Sequence, residues 1–101
     1  MFVETVTGPM AEWQRWTRQL RMFEDPPLAL AGSIAWTPDG DTVVNLNIWD
    51  SPEAVADFFE ARVQPLIEIA GPPTNKPVRH GTPLAIYLRP AGPLPHQPRA
   101  R

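Results

Sequence analysis

Two patterns of apolar residues run along the chain. Alternation of apolar and polar residues is typical of strands, and apolar residues spaced three to four apart are typical of amphipathic helices. These patterns predict a strand over residues 2–7, a helix over 10–24, strands over 28–37 and 42–49, a helix over 52–70 and a last strand over 84–89. The order βαββαβ predicts an α+β domain with the ferredoxin-like fold, in which a four-stranded antiparallel sheet carries two helices on one face.

Turn residues separate the first elements. Pro26 and Pro27 are expected to end the first helix, because proline lacks the N–H that continues the helical hydrogen-bond ladder. The run from Thr37 to Asp41 contains proline and then glycine, and it predicts a tight turn with Gly40 at positive φ. The strands on either side of this turn should therefore form a hairpin.

The second helix has the clearest start signal in the chain. Ser51 is expected to cap the free N–H groups of the first turn, and Pro52 suits the first helical position. Glu53 complements the helix dipole there. Pro65 lies inside the helical pattern, so it should kink the helix or split it in two.

The 14 prolines mark boundaries along the chain. Residues 74–83 are predicted to form a loop before the last strand. Four prolines and few apolar residues predict a flexible tail over residues 90–101. The chain therefore divides into a ferredoxin-like domain over residues 1–89 and a proline-rich tail.

The strand over residues 42–49 has two different faces. It carries Val44, Leu46 and Ile48 on one side and Val43, Asn45, Asn47 and Trp49 on the other. The wholly apolar side is expected to pack against the helices, so the mixed side should face away from them. The pattern does not decide which side of the strand over residues 28–37 packs against the helices. A mixed, aromatic sheet face of about 400 Å² is large for an exposed surface. We therefore expect a homodimer in which two sheets cover each other around a cavity.

Composition narrows the classes of function. The net charge is −2 and the nine Lys and Arg residues are scattered, which disfavours a nucleic-acid partner. No stretch is long and apolar enough to predict a membrane span, and the first residues do not look like a secretory signal. The chain has no cysteine, which excludes disulfides and thiolate chemistry and fits a reducing compartment. The expected location is the cytoplasm.

The run from Val43 to Ala54, VVNLNIWDSPEA, carries a resemblance to a known family. It resembles the junction between the third strand and the second helix of dimeric α+β barrel proteins, in particular the antibiotic-biosynthesis-monooxygenase-like group. Phe58, Phe59 and the closing strand are similar to that group as well. The resemblance implies a dimeric α+β barrel over residues 2–89. The superfamily includes cofactor-free quinone-forming monooxygenases, haem-degrading enzymes and proteins of unknown function.

The resemblance also implies roles for individual residues. In the monooxygenase branch an Asn and a Trp hold and polarise an aromatic substrate, and Asn45 or Asn47 with Trp49 would take those parts here. From the residues alone two interpretations stay open, because buried amides in a strand need partners. The amides either bind a substrate carbonyl or phenolate, or they hydrogen-bond across the dimer seam. Trp13 is expected in the core, and Trp16 is expected to be partly exposed.

Other side chains are weaker candidates. His80 is the candidate proton carrier of the catalytic set, although a histidine in a loop is commonly just solvated. Trp36, Tyr87 and Arg89 are candidate substrate-binding residues. Tyr87 and Arg89 can instead belong to an interface, with Arg89 paired to Glu4. Glu4 is either a buried carboxylate that acts as a base or an edge or interface partner.

Two functions follow from these observations. The first is a cofactor-free monooxygenase-like enzyme that acts on an aromatic or polyketide-like small molecule. The second is a non-catalytic ligand-binding or structural dimer. The chain lacks a glycine-rich phosphate loop, an HExxH motif and a nucleophile elbow, so neither a nucleotide nor a metal is expected. The haem-degrading branch has an iron-binding His on the second helix, and residues 52–70 contain no His, so haem is not expected either.

Overall fold

The computed structural model describes residues 1–87 of the chain. Its elements are β1 (Phe2–Pro9), α1 (Met10–Gln19), β2 (Leu30–Trp36), β3 (Thr42–Trp49), α2 (Pro52–Phe58), a π-helical turn (Phe59–Val63), α3 (Gln64–Ala70) and β4 (Lys76–Gly81). The strands form one antiparallel sheet in the order β2-β3-β1-β4. This confirms the predicted α+β, βαββαβ fold, and the tail predicted over 90–101 lies outside the described residues.

Helix α1 ends earlier than the pattern predicts. Arg21 takes a left-handed conformation with φ of 55°. Its N–H donates to the Arg18 carbonyl, and the N–H of Met22 donates to the Thr17 carbonyl. This is the Schellman arrangement that closes many helices, usually with glycine at the left-handed position. The helix therefore stops before Pro26 can act on it.

The predicted hairpin turn between β2 and β3 is confirmed. Gly40 has a φ of 91°, in the left-handed region that glycine adopts without steric cost. The Asp39 carboxylate accepts hydrogen bonds from the N–H groups of Asp41 and Thr42 at 3.0 and 2.9 Å. The Thr37 hydroxyl accepts one from Gly40 at 2.7 Å. Side chains of the turn therefore satisfy its own backbone donors.

The second helical segment starts and divides as predicted. The Ser51 hydroxyl accepts a hydrogen bond from the N–H of Ala54 at 3.1 Å, with Pro52 at the first helical position. Pro65 has no N–H, and its ring crowds the carbonyl four residues earlier. The helix widens just before it, and the N–H of Gln64 donates to the Phe59 carbonyl, five residues back. The segment is thus divided by a π turn, a feature that is frequent at functional sites.

The last strand lies at a different place from the prediction. The sequence pattern placed it over residues 84–89, but β4 occupies Lys76–Gly81, inside the predicted loop. Residues 84–87 are not in a strand, and residues 88–89 lie outside the described part. Pro77 obscured the signal, because proline is excluded from central strands but is tolerated on an edge strand such as β4.

The predicted orientation of β3 is wrong. Its period-two alternation is real, but the face that carries Asn45, Asn47 and Trp49 lies under the helices. Trp49 is 1% exposed and packs in the core with Phe2 and Val55. A tryptophan ring removes more apolar surface from water than an aliphatic side chain does, and each asparagine has hydrogen-bond partners. The mixed face can therefore be buried, because each asparagine side chain has at least one hydrogen-bond partner.

The opposite side of the sheet carries the apolar residues that were expected in the core. We call it the open face, and it comprises Val3, Thr5, Thr7, Gly32, Ile34, Trp36, Val44, Leu46, Ile48, Val78 and His80. A register shift between Leu30 and Gly32 splits β2, so that Leu30 packs against the core while Ile34 and Trp36 lie on the open face. None of the helices between residues 1 and 87 has the length and apolarity that crossing a bilayer would require.

Candidate functional site

A cavity of about 590 Å³ lies between the sheet and the helices. Strands β1 and β3 form its floor, and α1, α2 and the π turn form its walls. The aromatic residues that line it are Trp13, Trp16, Trp49, Phe58 and Phe59. The buried polar residues on its floor are Glu4, Asn45 and Asn47. A mostly apolar cavity of this size with a few polar groups is the usual form of a small-molecule site.

Trp49 joins the core to the cavity floor. Its indole Nε1 donates to Glu4 Oε1 at 3.0 Å, between the ends of adjacent strands β3 and β1. Its ring packs against Phe58, with centroids 5.2 Å apart. The Arg62 guanidinium lies 5.9 Å from the Phe58 ring centroid and donates to the Asp25 carbonyl at 2.7 Å. Trp49 is therefore held by a hydrogen bond at its edge and by aromatic packing on its face.

A hydrogen-bond network links the two floor amides to α1. Trp13 Nε1 donates to Asn45 Oδ1 at 2.9 Å. Asn45 Nδ2 donates to Ser33 Oγ at 2.9 Å and to Asn47 Oδ1 at 3.2 Å. Ser33 Oγ in turn donates to Asn47 Oδ1 at 2.8 Å. These bonds all lie within one chain, so they supply partners for the buried amides without a dimer seam.

Glu4 faces Asn47 and Arg79 across the two neighbouring strands. All three side chains line the cavity, and Glu4 is 7% exposed. Within residues 1–87 the Glu4 carboxylate accepts one hydrogen bond, from Trp49, and no ion pair joins it to Arg79. Sequence reasoning missed Arg79. Its position beside Glu4 follows from strand alternation only once β4 is placed correctly.

The Glu12 carboxylate connects two segments at the rim of the cavity. Glu12 accepts hydrogen bonds from the Thr74 N–H at 3.0 Å and from the Thr74 hydroxyl at 2.8 Å. This connects the start of α1 to the segment before β4. Gly8 permits the close approach there, because a Cβ at this position would lie 3.0 Å from the Cβ of Asn75.

Helix α1 contributes two tryptophans to the cavity. Trp13 is half-buried and bonded to Asn45. Trp16 is 6% exposed, so its predicted partial exposure is wrong. Its indole N–H is buried and has no hydrogen-bond partner within the described residues. Both rings belong to the cavity wall rather than to a closed core.

The structure brings together only part of the predicted site. Asn45, Asn47 and Trp49 share the cavity floor. His80 lies on the open face, where its Nε2 is hydrogen-bonded to Thr5 Oγ1 at 2.8 Å, so it is not brought to Trp49.

The predicted substrate-binding residues do not line the cavity. Trp36 is on the open face and Tyr87 is 85% exposed. Arg89 lies outside the described residues. The alternation of β2 and the true position of β4 account for these differences, since both decide which side of the sheet a residue faces.

Comparison with known proteins supports the fold but identifies no function. No protein-family model matches the chain, and no curated protein matches it. One similar solved structure is a protein of unknown function, NE2512, from Nitrosomonas europaea. It has 13% sequence identity and a TM-score of 0.54, over 90% of this chain and 95% of that one. At this sequence identity the similarity supports the fold alone. By its fold, the chain is an α+β protein with a ferredoxin-like sheet.

Proposed function

We propose that the cavity binds a planar aromatic or polyketide-like small molecule, and that the protein is a cofactor-independent monooxygenase-like enzyme. The observation that carries this proposal is the 590 Å³ cavity with aromatic walls and a polar floor. Three indole rings and two phenyl rings line it, and such surfaces stack on flat ligands. The resemblance of the run from Val43 to Ala54 to the monooxygenase-like group supports the same proposal.

The chemistry of such a reaction needs little from the protein beyond orientation and charge stabilisation. A phenol reacts with dioxygen to give a quinone and water. One oxygen atom enters the ring, the other leaves as water, and the substrate supplies all the electrons. The amides of the cavity floor and the Trp49 ring would hold the substrate while negative charge develops on its oxygen.

The same proposal includes a homodimer formed through the open face. Ile34, Trp36 and Val78 are 58%, 46% and 50% exposed there, and Ile34 and Trp36 lie beside Leu46 and Val44 of β3. A contiguous exposed apolar patch on a sheet face often marks a protein–protein interaction site. A second copy of the chain fits it, because a two-fold axis brings the same sheet face to both sides. The lack of cysteine supports a cytoplasmic location.

A second candidate function is a non-catalytic ligand-binding or structural dimer. One observation favours it: His80 lies on the open face and therefore cannot exchange protons with a molecule in the cavity. The cavity floor then has Glu4 as its carboxylate and no histidine within residues 1–87.

Oxygen uptake and ligand binding separate the two functions. We expect hydroxylated naphthalenes and anthracenes to bind in calorimetry under nitrogen, and a subset of them to consume one dioxygen per quinone formed in air. Trp49→Phe should lower that turnover about tenfold, because it removes the hydrogen bond that holds the Glu4 carboxylate on the cavity floor. Trp36→Phe, on the other side of the sheet, should not lower it.

The enzymatic and the non-catalytic function predict different outcomes of these measurements. Binding without oxygen uptake by any compound would favour the non-catalytic function. Absence of binding across the whole panel would refute the proposed role of the cavity. The melting temperature of Trp49→Phe shows whether a loss of turnover reflects a loss of fold.

A further inference from the structure

Two neighbouring residues on the cavity floor each leave one polar side-chain atom without a hydrogen-bond partner within residues 1–87. Glu4 and Asn47 are directly opposite each other on β1 and β3, where Cβ atoms are about 5 Å apart. Each residue is 7% exposed and lines the cavity. In the part of the chain that the structure describes, Glu4 Oε2 accepts no hydrogen bond and Asn47 Nδ2 donates none.

The direction of each group follows from its neighbours. An indole N–H only donates, so the atom of Asn45 that faces Trp13 must be Oδ1. Asn45 Nδ2 then points to Asn47, whose Oδ1 receives it. Asn47 Nδ2 is thereby left as a donor that no described residue accepts from. The orientation of both amides is thus fixed by chemistry that does not depend on distinguishing N from O.

The same logic applies to Glu4. The Trp49 indole also only donates, and it occupies Glu4 Oε1. Oε2 remains as an acceptor on the residue directly opposite the Asn47 donor. Burying a carboxylate is costly unless its oxygens are hydrogen-bonded. A ligand that presents a donor to Oε2 would therefore be favoured strongly over one that does not.

We propose that the Glu4–Asn47 pair recognises an ortho-dihydroxyarene, a neutral planar ring with two adjacent hydroxyl groups. One hydroxyl donates to Glu4 Oε2, and the neighbouring oxygen accepts from Asn47 Nδ2. A ring with two adjacent hydroxyls supplies one donor and one acceptor on the same edge, in the order that the floor requires. This inference rests on the proposed binding of an aromatic molecule in the cavity, and it names the class of that molecule.

A series of naphthalenes tests the recognition directly in the wild-type protein. We expect 2,3-dihydroxynaphthalene to bind about tenfold to a hundredfold more tightly than 2,3-dimethoxynaphthalene, which cannot donate to the carboxylate. 2-Naphthol, which lacks the second oxygen, should lie between them. Titration calorimetry under nitrogen measures binding without oxidation.

Glu4→Gln provides a sharper test, because Trp49 still requires an acceptor. The amide oxygen should turn to the indole, and the amide nitrogen should replace Oε2, so that an acceptor becomes a donor. We expect the variant to lose its preference for 2,3-dihydroxynaphthalene and to bind the dimethoxy compound at least as well. Glu68→Gln is the matched control, since Glu68 is exposed and does not line the cavity. It should keep the wild-type preference.

Failure of this inference is distinguishable from failure of the proposed function. Equal binding of the dihydroxy and dimethoxy compounds by the wild type would overturn the recognition but leave aromatic binding intact. Binding of no naphthalene would overturn both. The wild-type series decides the inference even if Glu4→Gln does not fold.

Discussion

At the scale of single residues, donor-only groups orient the polar floor. The indole N–H groups of Trp13 and Trp49 can only donate hydrogen bonds. Each therefore sets the orientation of the side chain that it contacts. Asn45, Asn47 and Ser33 follow in one chain of bonds. Such a network is specific because every member is satisfied except the atoms that face the cavity.

Asp39 gives a pH-dependent prediction at the same scale. The N–H groups of Thr42 and then Asp41 hold the pKa of the Asp39 carboxyl below its ordinary value of 3.8. Because the folded pKa is the lower one, this contribution to stability is fully present above the unfolded pKa and is lost as the pH falls through the folded pKa. We expect Asp39→Ala to lose stability at pH 7 and to differ less from the wild type at a pH well below 3.8.

Urea unfolding midpoints at the two pH values measure this difference. Asp57→Ala, an exposed change on α2 that removes the same charge, is the control. An equal loss for Asp39→Ala at both pH values would contradict a role for the ionised carboxylate.

At the scale of elements, the second helical segment shows how two prolines act differently. Pro52 occupies the first helical position, where its missing N–H has no intrahelical partner to lose. Pro65 lies further along, and the chain widens into the π turn before it. That turn places Phe59, Glu60 and Val63 on the cavity wall.

The Ser51 cap gives the prediction for this element. Ser51→Ala removes the hydroxyl acceptor of the Ala54 N–H and leaves it only the Ser51 carbonyl at 3.2 Å, and we expect the free energy of unfolding to fall by about 1 kcal/mol. Ser51→Asp keeps an acceptor at the same place and should stay close to the wild type. Chemical denaturation compares the three proteins. A loss of the same size in both variants would show that the cap contributes nothing.

Strand β4 shows the limit of pattern reading for elements. Its sequence, KPVRHG, has one aliphatic residue and a proline, and its burial does not alternate. The strand is formed by pairing with β1 at the sheet edge, which is a long-range contact. Residues 84–87 have the better strand pattern and no strand partner, and Leu84 and Tyr87 are exposed. Propensity for a strand is therefore weaker than the presence of an edge to pair with.

At the scale of the whole molecule, the prediction concerns the proposed dimer. Leu46 lies at the centre of the open face, between Thr5 and Ile34 on the neighbouring strands. We expect the wild type to sediment at about twice the chain mass of 11.3 kDa, and Leu46→Arg to sediment as a folded monomer. Leu28→Arg introduces the same charge at a fully exposed site off the sheet and should stay dimeric.

Sedimentation at micromolar concentration checks this expectation, and circular dichroism checks the fold of each variant. A wild-type protein found only at 11.3 kDa would contradict the dimer.

The sequence by itself determined the local features of this protein. The Ser51 cap, the turn at Gly40 and the break at Pro65 depend on neighbours within a few residues, and the structure confirms each of them. The hydrophobic period gave the element order correctly but misplaced the last strand. It also identified Asn45, Asn47 and Trp49 as one face of one strand. Alternation along a strand is a property of the backbone and needs no partner.

Only the tertiary structure decided which face is buried and what meets there. The period of two is the same for both sides of a strand, so the choice depends on what packs across from it. The Trp49 ring filled the space under α2, and hydrogen bonds from Trp13 and Ser33 made the asparagines compatible with burial. The burial of this face of β3 determines the cavity and the neighbours of Glu4. It also places His80 on the other side of the sheet from the cavity.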